Sequence, residues 1–286
     1  MQFGINLLLW TDTPYTPEFL PLYGKLKDMG FDGVELPMFS GHPEDYRKLG
    51  ERLHDLGLER TATVIRNEDD DPISPDPAIR QAAASAMKHA IDCAQAADAK
   101  LIGGPFYAAI GKFSGAPPTA EEWGHSIEYM REAADYAQAA GIELSLEFLN
   151  RFEIYLLNCT ADTARFVREV DRPNVGVHYD TFHANLEEKN VNHAIREAGR
   201  EITHVHISEN DRGTPGHGQV RWEETFAALN EIGYDGWLTI EAFGQALPGL
   251  AAATKIWRPL FASEEQLARD GLAFMRKEAA HARRTD

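Results

Sequence analysis

Four apolar, alternating runs in this chain each close on a side chain able to bind a metal: ELSLE on Glu147, VGVHYD on Asp180, HVH on His206 and LTIE on Glu241. Side chains two apart on a strand share a face. Ser145 therefore goes with Glu147, His178 with Asp180, His204 with His206 and Thr239 with Glu241. The opposite faces carry Leu144 with Leu146, Val175 with Val177, Val205 with Ile207, and Leu238 with Ile240. In all four segments the aliphatic face looks one way and the metal-binding residue the other. The simplest closed object with that property is a parallel barrel clothed in helices, where one parity meets the helices and the other points at the axis. A carboxylate on that axis is expensive to bury without a partner, so chemistry is the reason for it.

The rest of the chain fits such a barrel. Strands are predicted near 3–9, 31–36, 59–65, 100–104, 143–148, 174–180, 202–207 and 236–241. Helices are predicted near 17–29, 43–56, 76–97, 119–140, 160–170, 190–199, 222–232 and 264–280. Thr119 followed by Glu121 and Glu122 suits a helix start, while Gly30, Gly57, Gly141 and Gly233 suit helix ends. Eight βα units in succession make the fold class α/β and the architecture a (β/α)8, or TIM, barrel. Long segments follow the third, fourth, seventh and eighth strands, at 66–75, 105–118, 208–221 and 242–263, whereas the returns from helix to strand are short. The elaborated strand-to-helix loops mark the rim on which such barrels carry their sites. No glycine-serine or proline linker interrupts the 286 residues, so 1–286 is read as a single barrel domain.

Composition narrows the ligand. Against 45 acidic residues stand 28 basic ones, a formal charge of -17. That balance argues against nucleic acid and anionic membranes as partners and favours a small neutral or cationic ligand. Cys93 and Cys159 are too few for a disulfide framework and lack the paired spacing of a thiolate zinc site. The apolar start MQFGINLLLW has no basic leader and reads as the first strand, and no run reaches the length of a membrane span. The expected setting is a soluble protein of the reducing cytoplasm.

Two glutamates, one aspartate and one histidine form an oxygen-rich donor set suited to manganese, magnesium or cobalt, with coordination positions left for a substrate. Any one of the four could be a solvated strand end, but that reading does not account for four at matching parity. Around them, Asn150, Arg151, Phe152 and Glu153 follow Glu147, His183 follows Asp180, and the glycine-rich run SENDRGTPGHG supplies Arg212. A surface pair between Arg151 and Glu153, and a loop-capping role for His183, are the alternatives these residues leave open.

The segments LEFLNRFE (146–153), HYDTFHANLEE (178–188), HVHISENDRGTPGHG (204–218) and TIEAF (239–243) resemble the ketose 3-epimerases, the D-tagatose, D-allulose and L-ribulose enzymes of the xylose-isomerase-like barrel superfamily. The resemblance runs in order from GFDGVELP at 30–37 to KIWRPL at 255–260. It implies a divalent metal, Mn²⁺ first and Co²⁺ or Mg²⁺ next, held by Glu147, Asp180, His206 and Glu241. It further implies Glu147 and Glu241 as the acid/base pair, with Glu153, His183 and Arg212 contacting the sugar near its carbonyl end. A free ketose, epimerised at C3 through a cis-enediolate, is the implied substrate, and a homodimer or homotetramer the implied assembly. Trp10, Phe39, Ile65, Phe106, Tyr107 and Phe243 are candidates for the pocket around C4 to C6, and the apolar stretch 244–263 for a lid or subunit contact. Aldose–ketose isomerisation or an inosose-type dehydration on the same metal is the alternative reading. A DNA-damage endonuclease would need further histidines where strands two and three end in Glu35-Leu36-Pro37 and Val64-Ile65-Arg66. A noncatalytic sugar-binding barrel leaves the second glutamate without a purpose.

Overall fold

The strands β1 (Gln2–Asn6), β2 (Gly33–Pro37), β3 (Glu59–Thr63), β4 (Leu101–Gly104), β5 (Glu143–Glu147), β6 (Val175–Asp180), β7 (Ile202–Ile207) and β8 (Trp237–Ile240) pair in parallel, each with the next, and β8 returns to β1. The computed structural model describes residues 1–283 and closes them into the expected (β/α)8 barrel; 284–286, the end of the expected 1–286 domain, lie outside the described residues. The helices are α1 (Leu20–Met29), α2 (Pro43–Asp55), α3 (Pro77–Ala96), α4 (Ala120–Ala139), α5 (Thr160–Val170), α6 (Thr181–Glu187), α7 (Val191–Ala198), α8 (Trp222–Glu231), α9 (Pro248–Thr254) and α10 (Glu264–Ala282).

Local chemistry sets the boundaries. At the start of α4, Thr119 Oγ1 accepts from the Glu122 amide while the Glu122 carboxylate accepts from the Thr119 amide, a reciprocal cap. The first strand stops sooner than expected because Asn6 Oδ1 accepts from Leu8 N at 2.8 Å and closes a 3-10 turn over Leu7–Leu9. Two helices, α6 and α9, were not anticipated. Asp180 ends β6 and also caps α6, its Oδ1 accepting from Phe182 N at 2.5 Å and His183 N at 3.3 Å. No loop separates the two elements, so nothing in the residue pattern announces the change of period. Helix α9 is a seven-residue piece of the 242–263 segment, too short to show periodicity.

The two parities of the strands bury different chemistry. Leu144, Leu146, Val177, Val205, Leu238 and Ile240 are fully buried in one cluster with helix side chains such as Met130 and Phe166. Each such side chain contributes roughly 1.5–3 kcal/mol from area removed from water. The inward parity is not filled by the branched aliphatic layers usual in these barrels. It holds Asn6, Glu35, Thr61, Ser145, His178, His204, His206 and Thr239, all buried. A shift of register between Val177 and His178 admits Thr203, whose hydroxyl meets Ser145 Oγ at 2.8 Å.

Glycine ends β4, where φ of Gly104 is +127° and an added Cβ would lie 2.2 Å from the Val64 carbonyl oxygen. Both the left-handed backbone and the clash with a rigid strand act against a side chain. Gly104→Ala is expected to destabilise the fold by about 3 kcal/mol or more, read as a lowered thermal midpoint.

Candidate metal centre

The strand order brings the four strand-end residues to one height. Asp180 pairs in register with His206, His206 pairs with Thr239 two residues before Glu241, and Glu147 pairs with His178 two residues before Asp180. One ligand atom from each of Glu147, Asp180, His206 and Glu241 lies within 4.8 Å of those of the other three. His206 Nδ1 sits 3.4 Å from Glu241 Oε1, 3.6 Å from Asp180 Oδ2 and 3.9 Å from Glu147 Oε1, yet makes no hydrogen bond. All four side chains are buried.

The charges do not balance by themselves. Three carboxylates converge, and beside them Arg212 places Nη1 2.7 Å from Glu241 Oε2 and 3.2 Å from Asp180 Oδ2. Burial, and then the neighbouring Glu241 and Asp180, hold the Glu147 carboxyl well above the ordinary carboxylate range. For His206, burial alone would lower the imidazole, but Glu35 and Glu241 reverse this and hold it well above its ordinary range. Asp180 goes the other way: burial opposes its charge, and Arg212 and His206 more than compensate. The site thus retains protons on Glu147 and His206 for want of positive charge. Three carboxylates and one imidazole, with an orphaned buried ring nitrogen among them, fit a divalent cation of the oxygen-preferring kind.

This arrangement makes stability depend on pH in a defined direction. Glu147 and His206 have folded-state values raised above their ordinary 4.5 and 6.5, so over that range and above it the folded chain binds more protons than the unfolded one. Stability from these groups is complete below the ordinary values and is lost as pH rises through the raised ones. Asp180 and Glu35, which are depressed, lose their contributions only at lower pH. A cation that displaces both protons removes the penalty. The rise in thermal midpoint on adding Mn²⁺ is therefore expected to be larger at about pH 8 than at about pH 6, as measured by scanning calorimetry.

The other expected site residues lie around this cluster. Arg212 stands with φ +65°, its guanidinium between the rings of Phe182 at 3.8 Å and Phe243 at 4.8 Å. His183 Nδ1 lies 3.0 Å from the Asn150 amide nitrogen, and its Nε2 lies 3.0 Å from Arg212 Nη2 and 3.6 Å from Glu147 Oε1. Burial, and then the guanidinium of Arg212, lower the His183 ring to about 3, so it is neutral. Glu153 is held by Asn150 Nδ2 at 2.7 Å. Arg151 does not pair with Glu153; it turns outward to Glu187 at 2.7 Å. Among the pocket candidates, Phe106 and Tyr107 are fully buried in the core, Tyr107 donating to the Leu157 carbonyl at 3.2 Å. Trp10 and Ile65 are half-buried, Phe39 is exposed, and Phe243 packs on Arg212.

Among the buried carboxylates near the cluster, Glu35 and Glu209 escaped the residue reading. Glu35, on the inward parity of β2, receives His204 Nε2 at 2.8 Å and His206 Nε2 at 2.6 Å. Its place between Gly33 and Pro37 on the axial face was the available signal. Glu209 accepts from the amides of Asn210, Gly216, Gln219 and Val220 and from the Trp222 indole at 2.8–3.1 Å, organising the loop that carries Arg212.

A family model described as a xylose isomerase-like TIM barrel matches residues 24–278. A ketose 3-epimerase of Arthrobacter globiformis is 33% identical over 278 residues, 96% of either chain. A solved structure of L-ribulose 3-epimerase superposes with a TM-score of 0.93 at 32% identity, covering 99% of this chain and 96% of that one. The D-allulose 3-epimerase of Methylomonas sp., solved in complex with D-allulose, gives a TM-score of 0.91 at 30% identity over 97% of each chain. Among the described residues no helix is long and apolar enough to cross a membrane.

Proposed function

The chain belongs to the ketose 3-epimerases of the xylose isomerase-like TIM barrel family, and from that membership we propose that it epimerises free ketoses at C3 with a divalent metal held by Glu147, Asp180, His206 and Glu241. The observation that carries the reading is the convergence of those four buried side chains within 4.8 Å, with an unpartnered ring nitrogen among them. Mn²⁺ is the preferred ion, ahead of Co²⁺ or Mg²⁺. A cytoplasmic enzyme working as a homodimer or homotetramer, with Cys93 and Cys159 unpaired, completes the proposal.

The chemistry asks for what these residues offer. Taking a proton from carbon beside a ketone with a carboxylate crosses a pKa gap on the order of ten, which costs roughly 14 kcal/mol before any intrinsic barrier. A bound divalent cation supplies the electrophile that stabilises the charge of the cis-enediolate. Inversion needs a proton removed from one face and returned to the other. Glu147 and Glu241 stand at the ends of β5 and β8, three strands apart around the ring, one for each face of a central sugar. Which of them removes the proton depends on the epimer presented. His183, neutral and held beside Arg212 and Glu147, contacts the sugar near its carbonyl end. Arg212, fixed between two aromatic rings, and Glu153, fixed by Asn150, orient the hydroxyls near the carbonyl end.

The test is incubation with D-fructose, D-tagatose or L-ribulose and Mn²⁺ in deuterated water. The C3 epimer should appear carrying deuterium at C3. Label at C1 or C2 would point to aldose–ketose isomerisation, loss of water to a dehydratase, and no reaction with any ketose would overturn the proposal.

A further inference from the structure

Glu35 is fully buried on the axis of the barrel, and each of its oxygens is doubly occupied. Oε1 accepts from Asn6 Nδ2 at 2.8 Å and meets His206 Nε2 at 2.6 Å; Oε2 accepts from Thr61 Oγ1 at 3.0 Å and meets His204 Nε2 at 2.8 Å. A carboxylate so placed can only accept, so His206 must carry a proton on Nε2. The ring is then oriented with Nδ1 toward Asp180, Glu147 and Glu241, where it finds no hydrogen-bond partner. Imidazoles that ligate metals are commonly held in this way by a carboxylate on the far nitrogen.

We propose that Glu35 is the positioning residue of the metal centre: through Oε1, which also holds Asn6, it locks the tautomer and rotation of His206 and so presents Nδ1 to the cation. This rests on the metal-dependent reading above. His204 shares the carboxylate but lies outside the group formed by Glu147, Asp180, His206 and Glu241, so it balances Glu35 rather than serving the cation directly.

Three variants separate this role from simple packing, each read by Mn²⁺ titration of the folded protein and by the melting of the metal-free chain. Glu35→Leu removes both acceptors and is expected to weaken Mn²⁺ about 100-fold; Glu35→Gln keeps one oxygen for His206 and is expected to weaken it about 10-fold. Thr61→Val removes a bond only from Oε2, the oxygen facing away from His206, and touches neither imidazole. It is expected to lower the melting temperature and leave Mn²⁺ affinity unchanged. Glu35→Gln remains informative where Glu35→Leu fails to fold. Unaltered Mn²⁺ affinity in Glu35→Gln, or an equal loss in Thr61→Val, overturns the proposal. Absence of Mn²⁺ binding by the wild-type chain overturns the metal reading itself.

Discussion

Glu147→Gln and Glu241→Gln are each expected to lower epimerisation by about 10³-fold or more while the protein still takes up Mn²⁺. General acid–base groups contribute roughly 10²–10⁴-fold, and inversion needs one on each face, so neither glutamate can cover for the other. Glutamine keeps the shape and one ligating oxygen, and three of the four expected ligands remain in either variant. Cation affinity therefore falls far less than turnover. The two variants should also differ from one another in deuterated water. With one carboxylate left, C3–H exchange survives for the epimer whose proton faces it: one epimer in Glu147→Gln, the other in Glu241→Gln. Nuclear magnetic resonance of each epimer, beside a Mn²⁺ titration, reads both effects. Full turnover in either variant would remove the acid/base assignment; loss of turnover that only tracks loss of the cation would reduce that glutamate to a ligand.

Asp180→Ala is expected to lose cation binding and stability together. Oδ1 caps α6 through the amides of Phe182 and His183, while Oδ2 meets Ser208 Oγ at 3.1 Å and Arg212 Nη1 at 3.2 Å. Loss of the cap costs about 1 kcal/mol. Arg212 keeps Glu241 at 2.7 Å, so losing its contact with Asp180 adds about 1.5–3 kcal/mol, the worth of a hydrogen bond to a charged group. For the cation the loss should exceed about 100-fold, because even the partners of ligands are commonly worth 10–100-fold. Asp180→Asn separates the two duties: its amide oxygen can cap α6, so it should fold better than Asp180→Ala yet bind Mn²⁺ poorly. Calorimetric titration and thermal melts of both variants check this. Wild-type Mn²⁺ affinity in Asp180→Ala would exclude Asp180 as a ligand.

The residues that could be read in advance are those whose meaning is local. Ser145 with Glu147, or Leu144 with Leu146, reports its face within one strand, so the barrel and the strand-end cluster follow from alternation. Glu35 was missed because its meaning is distant: the imidazoles it holds are 169 and 171 residues away. Helix α6 was missed because Asp180 belongs to two elements at once. Phe106 and Tyr107 looked like pocket aromatics for their rim position, but Ser126 Oγ on α4 binds the Tyr107 carbonyl at 2.7 Å and ties that turn into the core. Burial of this kind is decided by helices far along the chain.

The two rim segments nearest Arg212 are built on opposite principles, and they differ in how freely the enzyme can be re-engineered. In 208–221 a single carboxylate, Glu209, gathers four backbone amides and an indole, so most exchanges there would displace Arg212 along with the loop. Between its ends, where Ala242 and Phe261 meet the main core, segment 242–263 instead rests on a small satellite cluster of Leu8, Phe243, Ala251 and Ile256. Apolar side chains without directional bonds can be exchanged for one another while the segment stays seated. A mutant library aimed at new sugar preferences will keep more folded, active members when its diversity is placed in 247–260, leaving Phe243 against Arg212, than in the loop that Glu209 has already committed.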